Sequence, residues 1–150
     1  MENYQRAKQA LMSFCAYQDR CTHEAAEKAI KYGLTEEEIA RLLGELQSDG
    51  FIDEERYAKS FVRGKFFYKK WGRRKIAQTL RMKNLQDELI NIGMEEIPEA
   101  EYAETMADLA RAKWKSVKGR NDFERKMKVL RYLAGKGFEA DLARDILDEL

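Results

Sequence analysis

The chain has 150 residues, 44% apolar and 37% charged, and its 28 basic against 27 acidic side chains leave a formal net charge of +1. That length suits one ordinary domain or a few small helical units stacked into one body, and so large a charged fraction favours an elongated, surface-rich form over a compact globule. One proline and no Val/Ile/Thr-rich alternating run exclude sheets; no apolar run of about 18 residues and no basic-then-apolar leader exclude a membrane span and a signal peptide, so a cytoplasmic protein is expected.

The first helix begins near Tyr4, and the second carries Ala25, Ala26 and Ala29 as the i, i+1, i+4 stripe of an amphipathic helix. Gly33-Leu34 ends it, since glycine accepts a left-handed terminus without steric cost. Thr35 and Glu38 have capping-box spacing for a third helix, whose apolar positions are Leu42, Leu43 and Leu46. Asp53-Glu54-Glu55 then places negative charge at the start of a fourth helix, where the helix dipole favours it. From there the pattern repeats. Tyr57 follows the acidic start, Ile76, Ala77 and Leu80 form the second stripe, Asn84-Leu85 is the left-handed end, and Met94 and Ile97 follow. In the third pass the same places are held by Tyr102, by Val129, Leu130 and Leu133, by Gly137-Phe138, and by Ile146, Leu147 and Leu150. Asn121 with Glu124 supplies another capping pair.

The three left-handed ends lie 51 and 53 residues apart, so the period is about fifty. This predicts an all-α protein of three tandem three-helix repeats, residues 1–52, 53–98 and 99–150, packed in series into an elongated, curved array. Cys15 and Cys21 read as reduced, partly buried thiols. His23 lies near Cys21 without the further ligands that zinc requires, so neither a metal nor any other cofactor is expected. Nucleophile–base pairs, phosphate loops and catalytic carboxylate pairs are missing from the sequence, and an enzyme is not expected.

Charge is segregated along the chain. Residues 56–86 carry eleven Lys or Arg and no Asp or Glu, so the middle repeat is the basic one. On a continuous helix, Arg56, Lys59, Arg63 and Lys70 share one face opposite or beside a core stripe of Tyr57, Ala58, Phe61 and Val62, with Phe67 near that face and Trp71 beyond it. The run Lys69-Lys70-Trp71-Gly72-Arg73-Arg74-Lys75 puts exposed cations at a helix start, where each costs roughly 0.3–1 kcal/mol. That arrangement points to an anion site for phosphate or a carboxylate-rich protein surface. A secondary basic patch, Arg111, Lys113, Lys115, Lys118 and Arg120, spans an expected connection around Lys118-Gly119-Arg120.

The segment Ile52-Asp53-Glu54-Glu55-Arg56-Tyr57-Ala58-Lys59-Ser60-Phe61-Val62, followed by Gly72, Ile76, Leu80 and Asn84-Leu85, resembles the central signature of the RecX family. The likeness extends through Ala10-Leu11 and Tyr32-Gly33-Leu34 in the first repeat. In the third it runs through Lys126, Leu130, Leu133, Lys136-Gly137-Phe138 and Leu147. It departs where Lys75 stands for the family's usual arginine, Asn84 for glycine and Cys21 for serine. The resemblance implies tandem helical repeats that lie in the groove of the RecA nucleoprotein filament. It further implies that they limit filament growth, ATP hydrolysis, strand exchange and cleavage of the SOS repressor. The expected protein is thus a monomeric regulator of recombination that takes no small-molecule substrate and makes at most weak DNA contact. The competing expectation is a nonspecific DNA-binding module acting through the basic middle repeat.

Overall fold

A computed structural model describes residues 2–150, and among these residues there are nine α-helices, one π-helical turn and no strand. In chain order they are α1 (Glu2–Tyr17), α2 (Thr22–Ile30), α3 (Glu36–Ser48), α4 (Glu54–Arg63), the π-helical turn Gly64–Tyr68, α5 (Arg73–Met82), α6 (Asp87–Met94), α7 (Glu99–Ser116), α8 (Asp122–Gly135) and α9 (Ala140–Glu149). The three expected left-handed ends are all present, with φ of 72° at Gly33, 64° at Asn84 and 98° at Gly137. Asparagine holds the middle one because its short polar side chain tolerates that conformation. Thr35 and Glu38 form a reciprocal capping box, Asn121 accepts the amide of Glu124 at 2.8 Å, and Asp53 accepts that of Arg56 at 3.0 Å.

Two compact units result. The first comprises the chain up to Ser60 together with Arg81–Gly93; the second comprises Phe61–Leu80 and Met94–Leu150. In the first, α1, α2 and α3 pack on one another around Tyr4, Ala7, Leu11, Cys15, Ala25, Ala29, Leu42, Leu46 and Ile52. In the second, α7, α8 and α9 pack together, and Phe66, Tyr102 and Phe138 form an aromatic spine with centroid separations of 5.7 and 5.3 Å. Ala25 and Ala29, Ile76 and Leu80, and Val129 and Leu133 are buried as the helical stripe requires. In α6 the buried positions are Ile90 and Gly93, whereas Met94 is half-buried, and Ile97, also buried, lies beyond the end of the helix. Cys15 and Cys21 are free and buried, and burial raises both thiol pKa values.

Tyr4, Tyr57 and Tyr102 occupy equivalent places near the starts of α1, α4 and α7, and all three are buried. Burial raises the phenol pKa of Tyr57, with Cys21 and Glu24 beside it adding to the effect, and burial likewise raises that of Tyr102. Unfolded tyrosines ionise near pH ~10, while the folded ones keep their protons to higher pH, so their contribution is intact below that value and is lost above it. Thermal stability should therefore fall as pH rises past about 10, by about 1.4 kcal/mol per pH unit for each ring. Melting temperatures from pH 8 to 11 check this: Tyr57→Phe should show a shallower alkaline slope, and an unchanged slope would contradict the assignment.

Candidate functional site

The middle basic segment does not continue as one helix. After Arg63 the backbone widens into the π-helical turn, and Lys70 then adopts a left-handed φ of 58°. The 100° register is lost, so Lys70 does not share a helix face with Arg56, Lys59 and Arg63, contrary to the expectation from a continuous helix. Those three are also engaged nearby: Arg56 with Asp19 at 2.9 Å, Lys59 with Glu55 at 3.4 Å, and Arg63 with Glu96 at 2.5 Å. Phe67 is half-buried, edge-on to Phe66 at 4.9 Å between centroids.

The start of α5 likewise differs from an open anion site. Arg73 N–H donates to the Tyr102 hydroxyl at 3.0 Å, and Arg74 N–H donates to the Gly137 carbonyl at 3.0 Å. With those amides taken by the protein itself, the dipole end is closed to an external phosphate. Arg73, expected to be exposed, turns inward. Its guanidinium lies 3.9 Å from the Tyr102 ring centroid and donates to Glu139 at 3.2 Å and to Glu99 at 2.7 Å. Tyr102 in turn donates to Glu139.

What the second unit does present is a surface of cations around two rings. Trp71, half-buried, has the ammonium of Lys65 at 4.7 Å and that of Lys75 at 4.2 Å from its centroid. Tyr132 has Lys113 at 4.8 Å and Lys136 at 5.9 Å. Lys136 joins the two, because its ammonium reaches the Lys69 carbonyl at 3.4 Å and feels the charge of Lys75. Burial, and then that like charge, hold its pKa below the usual lysine range. Lys70 and Arg74 are exposed beside this group. Among the described residues no carboxylate pairs with Lys65, Lys69, Lys70, Arg74, Lys75, Lys113, Arg131 or Lys136. An uncompensated set of this kind creates a positive field that attracts a polyanionic or carboxylate-rich partner.

The close joining of Gly72 to Gly137 holds the two halves of this surface in place. Gly72 N–H donates to the Lys136 carbonyl at 2.7 Å, and the backbones approach so closely that a Cβ on Gly72 would lie 2.3 Å from the Gly137 carbonyl carbon. The sequence pattern alone does not mark Lys65 or Lys136 as partner-binding residues. Lys136 had a signal in the anchor Lys136-Gly137-Phe138; Lys65 had none, because only the turn at Gly64 brings it over Trp71. In the secondary patch, Arg120 pairs with Glu124 at 2.9 Å and Arg111 with Asp108 at 3.1 Å, while Lys115 and Lys118 are exposed. The connection around Lys118-Gly119-Arg120 lies between α7 and α8, as expected.

Fold and surface together define an all-α helical-repeat protein whose second unit presents cations around the Trp71 and Tyr132 rings. Residues 53–94 match the family model described as the second three-helix domain of RecX, and residues 99–147 match the third. The regulatory protein RecX of Mycobacterium sp. (strain KMS) is 30% identical over 132 residues, covering 85% of this chain and 72% of that one. The regulatory protein RecX of Vibrio campbellii is 29% identical, covering 90% and 85%. That of Bacillus mycoides is longer: the match takes in 99% of this chain and 55% of the relative. A crystal structure of regulatory protein RecX superposes with a TM-score of 0.88 at 25% identity over 97% of this chain and 73% of that one. RecX from Lactobacillus salivarius, at 22% identity and a TM-score of 0.85, has the same fold. The chain belongs to the RecX family of regulatory proteins.

Proposed function

We propose that the chain regulates recombination by binding the RecA nucleoprotein filament and limiting its growth, ATP hydrolysis, strand exchange and repressor cleavage. The observation that carries this reading is the uncompensated cation set around Trp71 and Tyr132, where Lys65, Lys75, Lys113 and Lys136 lie over rings without a carboxylate partner. A filament offers both acidic protein surface and a phosphate backbone, and such a set complements either. Of the residues expected to bind, Lys69, Lys70, Trp71, Arg74 and Lys75 lie at this surface, whereas Arg73 supports it from within. Arg63, paired with Glu96, and Phe67, packed edge-on against Phe66, belong to the same unit but are engaged within it. Regulation follows from binding one filament state more tightly than another, with no covalent chemistry required of the protein.

A second reading, direct nonspecific DNA binding, is favoured by Trp71 itself. A half-exposed indole between two ammonium groups suits base stacking beside phosphate neutralisation. Two measurements separate the readings: RecA's single-stranded-DNA-dependent ATP hydrolysis at substoichiometric amounts of this protein, and binding to the same DNA without RecA. Inhibition at ratios too low to coat the DNA supports filament regulation. No effect on RecA, with salt-sensitive binding to bare DNA, supports the second reading. Lys70→Glu combined with Arg74→Glu should weaken filament binding by about tenfold or more while leaving the helical circular dichroism unchanged. Unchanged affinity would remove this surface from the interface.

A further inference from the structure

Beyond filament binding, we infer that the second unit carries a separate docking groove for an acidic peptide segment bearing large apolar side chains. The groove, about 550 Å³, lies between the end of α7, the start of α8 and the end of α9. Trp114, Phe123, Leu147 and Leu150 form its apolar lining, with Phe123 73% and Leu150 53% exposed. Its size falls within the ~300–1,000 Å³ span of small concave binding sites. Exposed large apolar side chains gathered in a groove mark an interaction surface, because isolated ones are ordinary and clustered ones cost solubility.

Charge selects the occupant. The groove is also lined by Arg111, Lys115 and Lys126 against the single carboxylate of Asp122. Lys115 has no carboxylate partner among the described residues, and Arg111 and Lys126 are held only by exposed aspartates, Asp108 and Asp148. Carboxylates on an incoming segment would take up these ammonium and guanidinium groups while its apolar side chains cover Phe123 and Trp114. Arg125 keeps the Trp114 ring in place, stacking at 3.9 Å and donating to the Trp114 carbonyl at 2.7 Å. An apolar helix face or extended segment flanked by Asp or Glu fits both features, and a basic or neutral segment fits only one.

The test uses the full chain and a fluorescent synthetic peptide in which a run of Asp and Glu precedes two Leu and a Phe. Two further peptides replace the acids by Ser or the apolar residues by Ser. Anisotropy should show saturable binding of the first peptide and at least about tenfold weaker binding of each of the others. Phe123→Ser and Lys115→Glu should each weaken the first peptide to a similar degree. Phe123 and Lys115 are exposed, so circular dichroism should remain unchanged in both variants, and filament binding through Lys70 and Arg74 should persist in Phe123→Ser. Equal binding of the Ser-for-acid peptide would overturn the inference in favour of a generic apolar surface. So would absence of binding by the wild-type chain, or a Phe123-dependent dimer in sedimentation that excludes the peptide.

Discussion

Gly72→Ala should destabilise the protein by about 3 kcal/mol and lower its melting temperature by roughly 10 °C. The added methyl would stand 2.3 Å from both the Gly137 carbonyl carbon and the Phe138 nitrogen, and backbone cannot rotate aside as a flexible side chain does. Gly72 and Arg74 amides already bond to the Lys136 and Gly137 carbonyls at 2.7 and 3.0 Å, so the two segments cannot part without losing both bonds. Filament binding should weaken along with stability, because this contact places Trp71 and Lys75 beside Lys136. Gly44→Ala is the contrasting substitution. Gly44 lies inside α3 with nothing within 4 Å of an added Cβ, and alanine there should stabilise by about 1 kcal/mol. Thermal melts of the two variants decide the matter, and an unchanged melting temperature for Gly72→Ala would contradict so close an approach.

Arg73→Glu should cost about 3 kcal/mol or more, whereas Arg74→Glu should change stability by less than about 0.5 kcal/mol. The Arg73 and Glu139 side chains are each only 23% exposed. Glu139 accepts from both Arg73 and Tyr102, so a glutamate at 73 would set two carboxylates against each other and leave Tyr102 alone as donor. Arg74 is exposed and has no carboxylate partner among the described residues. Denaturant unfolding measures the first effect, and filament affinity should show the reverse order of interest: Arg74→Glu weakens binding in a fully folded protein. Equal stability of the two variants would show that Arg73 is not the internal strut the geometry describes.

The repeat design was readable from short-range chemistry, and the family from the resemblance carried by residues 52–62 with Gly72, Ile76, Leu80 and Asn84-Leu85. A left-handed residue at each second-helix end, a capping pair and an i, i+1, i+4 stripe are local requirements, and they operate within one or two turns of helix. Gly33, Asn84 and Gly137 therefore fell where expected. Tyr4, Tyr57 and Tyr102 marked the corresponding first helices for the same reason.

Which cations are available to a partner was a different kind of question. Arg73 and Arg74 are adjacent and chemically identical, yet Arg73 meets Glu99 and Glu139, 26 and 66 residues away, while Arg74 faces solvent. No local pattern distinguishes them. The π-helical turn after Arg63 was equally hidden, and by shifting the register it removed Lys70 from the expected helix face and brought Lys65 over Trp71. Sequence alone determined the left-handed ends, the buried i, i+4 pairs Ala25 and Ala29, Ile76 and Leu80, and Val129 and Leu133, and the concentration of positive charge in residues 56–86, whereas Ile146 and Leu147 proved half-buried and Leu150 exposed. Only the tertiary structure decided which of those charges are neutralised, because an ion pair depends on partners brought together by folding, and it alone joined Gly72 to Gly137 to carry Lys136 beside Trp71 and Lys75.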